Sequence, residues 1–79
     1  MTKDDLIAFI CDDAGLEPSE FNDDTLLFTD GYIDSFTMTS LIAHIEEVQG
    51  KEIAQSEVTV ENFDTIARIM AYMERRNAG

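Results

Sequence analysis

The sequence predicts an all-α fold: a small four-helix bundle of three main helices and one short helix, with a long first loop. Three observations carry this. Apolar residues recur at helical spacing in three separate stretches, around Leu6, Leu41 and Ile69. Turn-forming residues separate those stretches, from Gly15 to Pro18, from Asn22 to Gly31 and at Gly50. The run best suited to a strand, Val58-Thr59-Val60, is too short to stand without a partner. A chain of 79 residues with a 44% hydrophobic fraction has room for one compact core, and residues 1–79 read as a single domain. A domain of this size hides only about 60% of the surface its unfolded chain exposes, so modest stability is expected.

Thr2 to Ala14 reads as the first helix. Thr2 is a candidate N-cap, and Asp4 and Asp5 fall in the first turn, where the helix dipole favours anions. Leu6, Phe9 and Ile10 form one apolar row, with Ile7, Cys11 and Ala14 in a neighbouring one. Gly15 is a candidate stop and Pro18 lies beyond it. Leu16 to Ile33 is the long loop. Its turn-formers predict irregular backbone, yet Leu16, Phe21, Leu26, Leu27, Phe28, Tyr32 and Ile33 make it too apolar for a free linker. It is expected to pack over the core, with a short helical turn near Phe21. Loops of this length in small domains tend to be functional.

The second helix is predicted over Ser35 to Gln49, capped by Asp34 and ended by Gly50. Met38, Leu41, Ile45 and Val48 form its inward stripe, with Ile42 beside it. Between Ile53 and Phe63 a short turn of helix is expected as readily as an extended run. The last helix starts at Asp64 or Thr65, both good caps, and turns Ile66, Ile69, Met70 and Met73 inward. Arg75 and Arg76 suit the negative end of its dipole. Met38, Met70 and Met73 read as core gap-fillers.

Charge narrows the function. Seventeen acids against five Lys and Arg give a formal charge of −12. That excludes nucleic-acid binding, which needs cations to displace phosphate counterions, and disfavours an anionic membrane surface. It suits a monomer that meets cationic partners. One cysteine excludes an internal disulfide and a multi-cysteine zinc site. The chain lacks a long apolar run and a basic N-terminal segment, so neither a membrane span nor a signal peptide is expected, and a cytoplasmic location is.

Most catalytic constellations fail on spacing. Asp34, Ser35 and His44 cannot form a hydrolase triad on one helix. Nine residues at about 100° each place His44 on the face opposite Ser35, with a rise of about 13.5 Å. His44, the single histidine, therefore reads as a surface or boundary residue. Centring an EF-hand loop on Gly31 leaves Asp30 as its one acceptable ligand. Cys11 has no basic neighbour to activate it and reads as a buried structural thiol.

What remains is Asp30-Gly31-Tyr32-Ile33-Asp34-Ser35-Phe36. A serine that follows a tight turn and opens an amphipathic helix stands among free backbone N–H groups at the positive dipole end, where a phosphate is stabilised. The plainer alternative is that Ser35 helps Asp34 cap the helix. Phe36 lies about 140° to 180° from Leu41, Met38 and Ile45 on a helical wheel. It is an exposed apolar contact unless it folds back on Tyr32 or Ile33. If Ser35 is only a cap, the domain reads as a small acidic adaptor, with Leu27, Phe28 and Phe36 forming a groove for a partner helix.

Gly31-Tyr32-Ile33-Asp34-Ser35-Phe36 resembles the G-x-x-D-S-[LMF] signature of acyl carrier and peptidyl carrier proteins. The stretch Leu41 to Glu47, the Gly50-Lys51-Glu52-Ile53 exit and the Asn62-Phe63-Asp64-Thr65-Ile66 entry are similar to the same family. The resemblance spans Thr2 to Arg76. It implies a protein that is not itself an enzyme. Ser35 would bear a 4′-phosphopantetheine arm, attached from coenzyme A by a phosphopantetheinyl transferase. The arm's thiol would hold an acyl or aminoacyl thioester, loaded by a ligase and passed to downstream synthases or transferases. Asp34 would cap the helix and contact the transferase, with Phe36, Glu46 and Glu47 as further partner-facing residues. Carriers of fatty acid synthesis usually place acids soon after the serine. Here the stretch is Phe36-Thr37-Met38-Thr39-Ser40, which looks more like aminoacyl or D-alanyl carriers.

Overall fold

The computed structural model describes residues 1–78, and among these it is all-helical. Four helices follow in order: α1 (Lys3–Ala14), α2 (Ser35–Gln49), α3 (Val60–Phe63) and α4 (Ile66–Ala78). Two 3₁₀ turns, Pro18–Glu20 and Gln55–Glu57, punctuate the connections. The four-helix expectation, with one short member, is borne out.

α1 begins at a capping box. The Asp5 amide donates to the Thr2 hydroxyl at 3.1 Å, and the Thr2 amide donates back to the Asp5 carboxylate at 3.1 Å. Gly15 ends α1 and Gly50 ends α2, each in the left-handed region that glycine adopts without strain. Asp13 and Ala14 lie beside Asp34 and Thr37, whereas Met1 and Asp5 lie beside Val48, so α1 and α2 run antiparallel. Leu6 and Ile10 of α1, Leu41 and Ile45 of α2, Phe63 of α3 and Ile66 and Ile69 of α4 meet in one core. Ile7, Phe9, Cys11 and Ala14 are only partly buried. Cys11 is thus a boundary thiol rather than a fully buried one. Its partial burial, followed by the nearby Glu17 and Glu20 charges, pushes its pKa up, so it stays an inert thiol.

The expected α2 stripe holds for Met38, Leu41 and Ile45 but fails at Val48, which is 48% exposed. Val48 has run level with the very start of α1, where Met1 and Asp5 give it little cover. His44 lies at the boundary and stacks on Phe9 with ring centroids 4.5 Å apart. In α4, Tyr72 joins the stripe, buried against Phe63, and its hydroxyl donates to Glu57 at 2.9 Å. Arg75 and Arg76 do more than complement a dipole. Both guanidiniums lie over the Tyr72 ring, and Arg76 donates to the Lys51 and Glu52 carbonyls, tying α4 to the chain leaving α2.

The long loop does pack over the core, as its apolar content requires. Leu27 and Ile33 are buried, while Leu16 and Phe21 rest against the core from outside. The helical turn expected near Phe21 is the 3₁₀ turn just before it. The Ala67 amide, in the first turn of α4, donates to the Asp23 carbonyl at 3.1 Å, and Lys3 pairs with the Asp23 carboxylate.

Candidate functional site

The segment that the sequence singles out forms one tight feature at the start of α2. The Asp30 amide donates to the Leu26 carbonyl at 3.0 Å and the Gly31 amide to that of Phe28 at 3.2 Å. Gly31 has φ of 80°, and this backbone angle, rather than crowding, is what favours glycine there. The Ile33 amide then donates to the Leu27 carbonyl at 3.0 Å, and its buried side chain plugs the loop into the core. The chain emerges at Asp34 with the direction of α2 already set.

Asp34 caps α2 unaided. Its carboxylate accepts from the Thr37 amide at 3.0 Å. Ser35 is the first helical residue, one place past the capping position, and is exposed. Its backbone carbonyl accepts from the Thr39 hydroxyl at 2.9 Å, and the cap bond to Thr37 is made by Asp34, not by the Ser35 hydroxyl. The plainer reading of Ser35, as a helper in capping, therefore loses its structural basis. Phe36 is 75% exposed, so it does not fold back on Tyr32 or Ile33.

A groove of about 430 Å³ opens at Ser35 and runs along α2 past Thr39, Ile42 and Glu46 towards Ile53 and Gln55. Spacings of four, seven and eleven residues bring these α2 positions within about 40° of Ser35 on the helix. Phe28 and Met38 line this groove and also a smaller apolar hollow of about 100 Å³ that reaches Phe63 and Asp64. Glu46 is engaged rather than free, since its carboxylate accepts from the Ile53 amide at 2.8 Å. Glu47 is exposed. The adaptor groove of Leu27, Phe28 and Phe36 does not form, because Leu27 is fully buried in the core.

Of the two candidate caps of α4, only one acts as a cap. Thr65, not Asp64, caps α4, accepting from the Arg68 amide at 3.0 Å. Asp64 is buried and turns to the long loop. Its carboxylate accepts from the Phe28 amide at 2.8 Å, the Thr29 amide at 3.0 Å and the Thr29 hydroxyl. Its carbonyl accepts from the Leu27 amide at 2.7 Å. Burial alone would raise the Asp64 pKa, but the three donors from Thr29 and Phe28, helped by the Arg68 charge, hold it below the usual carboxylate range. Two good caps stood in a row in the sequence where one helix needs one. That surplus was the available sign of a second role.

Residues 4–73 match the sequence profile of the family described as "Phosphopantetheine attachment site". The chain belongs to that carrier family. It is 40% identical over 55 residues to a D-alanyl carrier protein of Abiotrophia defectiva, covering 70% of each chain. It is 32% identical over 74 residues to an acyl carrier protein of Chlamydia felis (strain Fe/C-56), covering 94% of this chain and 92% of that one. The prosthetic group of this carrier is a covalently attached 4′-phosphopantetheine. Carriers of the family work with a transferase and with biosynthetic enzymes and are not themselves catalytic. The residues present here fit such a group: an exposed hydroxyl at a helix start, beside a groove with both apolar and polar walls. No helix among the described residues is long and apolar enough to cross a membrane.

Proposed function

We propose that Ser35 bears the 4′-phosphopantetheine, and that residues 1–79 act as one carrier domain presenting a small aminoacyl cargo of the D-alanyl type. The observation that carries this reading is the division of labour at the start of α2. Asp34 fills the cap, so the exposed Ser35 hydroxyl next to it is free for modification. In attachment that oxygen bonds to the pantetheine-bearing phosphorus of coenzyme A, the pyrophosphate P–O bond breaks, adenosine 3′,5′-bisphosphate leaves and the hydroxyl proton is released.

When bound, the group supplies a terminal thiol that holds the cargo as a thioester. The chain's own residues do the rest. The first-turn N–H groups of Ser35 and Phe36 have no partner within an α-helix and favour an anion at this position. Thr39, Glu46 and Gln55 offer polar contacts along the groove, and Met38, Ile42 and Val58 offer apolar ones. The hollow beyond, of about 100 Å³, is well below the roughly 300–1,000 Å³ of pockets that enclose larger ligands, which favours a small cargo over a long chain. The uncharged turn Phe36 to Ser40 and the 40% identical D-alanyl carrier protein point the same way.

Partner enzymes meet Asp34 and Phe36 beside the serine and Glu47 about 18 Å further along α2, with Glu46 serving the groove wall. Docking of this kind is small in area and steered by charge, so that each enzyme can release the carrier. On this reading the protein is a cytoplasmic, non-catalytic monomer, and the charge of −12 itself opposes self-association. Incubation with coenzyme A, magnesium and a promiscuous phosphopantetheinyl transferase should raise the intact mass by one phosphopantetheine. Ser35→Ala should abolish the gain. An unmodified wild-type protein beside a working control carrier overturns the assignment.

A further inference from the structure

We propose that Asp64 is the positioning residue of the attachment site: its carboxylate sets the loop that presents Ser35 to the transferase. The inference rests on Ser35 being the attachment residue. Asp64 is 2% exposed, and a carboxylate is rarely buried so deeply unless its partners compensate for lost water. Those partners all belong to the loop, at Phe28 and Thr29, and none to α4, whose cap is Thr65. With the Asp64 carbonyl holding the Leu27 amide, four hydrogen bonds fasten residues 27–29 to one residue far along the chain.

From there the path to Ser35 is short and closed. The Leu27 carbonyl receives the Ile33 amide, and Ile33 leads directly into the Asp34 cap. Phe28, gripped through its amide, is also a wall of the groove that opens at Ser35. Releasing the carboxylate would therefore loosen both the approach to Ser35 and one side of its groove, leaving the core residues of α1, α2 and α4 in place. An enzyme that docks only on the ordered loop then sees a fraction of the carrier. If that fraction falls to about one tenth, KM for the carrier rises about tenfold while kcat holds.

The experiment uses apo-protein with coenzyme A and a phosphopantetheinyl transferase, well below the melting temperature of every variant. Asp64→Ala removes every acceptor of the carboxylate, leaving the Phe28 and Thr29 amides without their partner, and should raise KM for the carrier about tenfold, with kcat within about twofold. Hydrogen exchange should show the Phe28, Thr29 and Ile33 amides losing protection while those of α1 and the body of α4 keep theirs. Thr29→Val, which removes one donor at an exposed position, should move KM in the same direction by less. Ile69→Val, a core change away from the loop, should lower stability without moving KM. Wild-type KM in Asp64→Ala, or unchanged exchange at Phe28 and Thr29, overturns the proposal. Should Asp64→Ala fail to fold, an unchanged KM in Thr29→Val does so instead. Failure of the wild-type protein to accept the arm sinks the Ser35 assignment, whereas the exchange comparison reads the clamp without any transferase.

Discussion

Phe36 and Asp64 are the two residues on which physical chemistry makes its sharpest demands. Phe36 leaves an aromatic ring three-quarters exposed beside Ser35, the proposed attachment residue, where it adds little to the core. Its removal should cost little stability and much recognition. Truncating a central aromatic contact typically costs more than about 1 kcal/mol of binding, or about fivefold in affinity. Phe36→Ala should accordingly keep the wild-type melting temperature and raise KM for the transferase by about fivefold or more. An unchanged KM removes Phe36 from the docking surface. Asp64 makes a prediction in pH. Its folded pKa is depressed, by hydrogen bonds that outweigh burial, below the unfolded value of about 3.9. A depressed carboxylate stabilises the fold fully above the unfolded pKa and loses that contribution as pH falls through the folded one. Melting temperatures of wild type and Asp64→Asn should therefore differ by a constant amount above about pH 5 and converge on acidification below about pH 4. A gap that stays constant down to low pH refutes the depressed titration.

At the scale of elements, α2 separates two neighbouring residues that the sequence alone leaves entangled. Asp34 holds the Thr37 amide, so Asp34→Ala should destabilise the protein by about 1 kcal/mol. Ser35→Ala should shift stability by less than about 0.5 kcal/mol, because Asp34 rather than the Ser35 hydroxyl makes the cap bond. Denaturant midpoints of the two variants decide this, and equal losses would restore the serine to the cap. The helices themselves were legible because local rules fix them. Thr2, Asp34, Gly15 and Gly50 act at α1 and α2 as their side chains and backbone preferences predict. What escaped depends on contacts between distant segments. Val48 keeps the period of its stripe, but only the place where α1 begins decides whether it is covered. Asp64 satisfies every sequence criterion for a cap. Its actual role depends on Phe28 and Thr29 arriving from the other end of the chain. The site was legible at Asp34, Ser35 and Phe36, which share one turn of helix. It was not legible at Thr39, Asp64 or the engaged carboxylate of Glu46, where hydrogen-bond partners decide the role.

For the whole molecule the dominant quantity is a charge of −12 on a body whose radius of gyration is 11.6 Å. The Debye length is about 30 Å at 0.01 M salt and about 10 Å at 0.1 M. At low salt every acid feels nearly every other one; at 0.1 M, charges across the molecule are largely screened. The few attractive pairs respond in the opposite sense. Screening weakens the Lys3–Asp23 pair, but that pair lies at the surface, where ion pairs count for little. Arg75 and Arg76 are held by Asn62, backbone carbonyls and the Tyr72 ring, contacts that salt disturbs less than it does long-range repulsion. Repulsion among seventeen acids should win over the pairing of five cations. The melting temperature should rise steadily from 0.01 M to about 0.1 M sodium chloride, as the Debye length falls to the size of the domain, and then level off. Replacing the exposed Asp12 and Asp13 by Asn should raise the low-salt melting temperature and flatten its dependence on salt. A wild-type melting temperature that is flat or falls across this range would mean that its few cations already neutralise the repulsion locally, and that net charge does not govern the stability of this carrier.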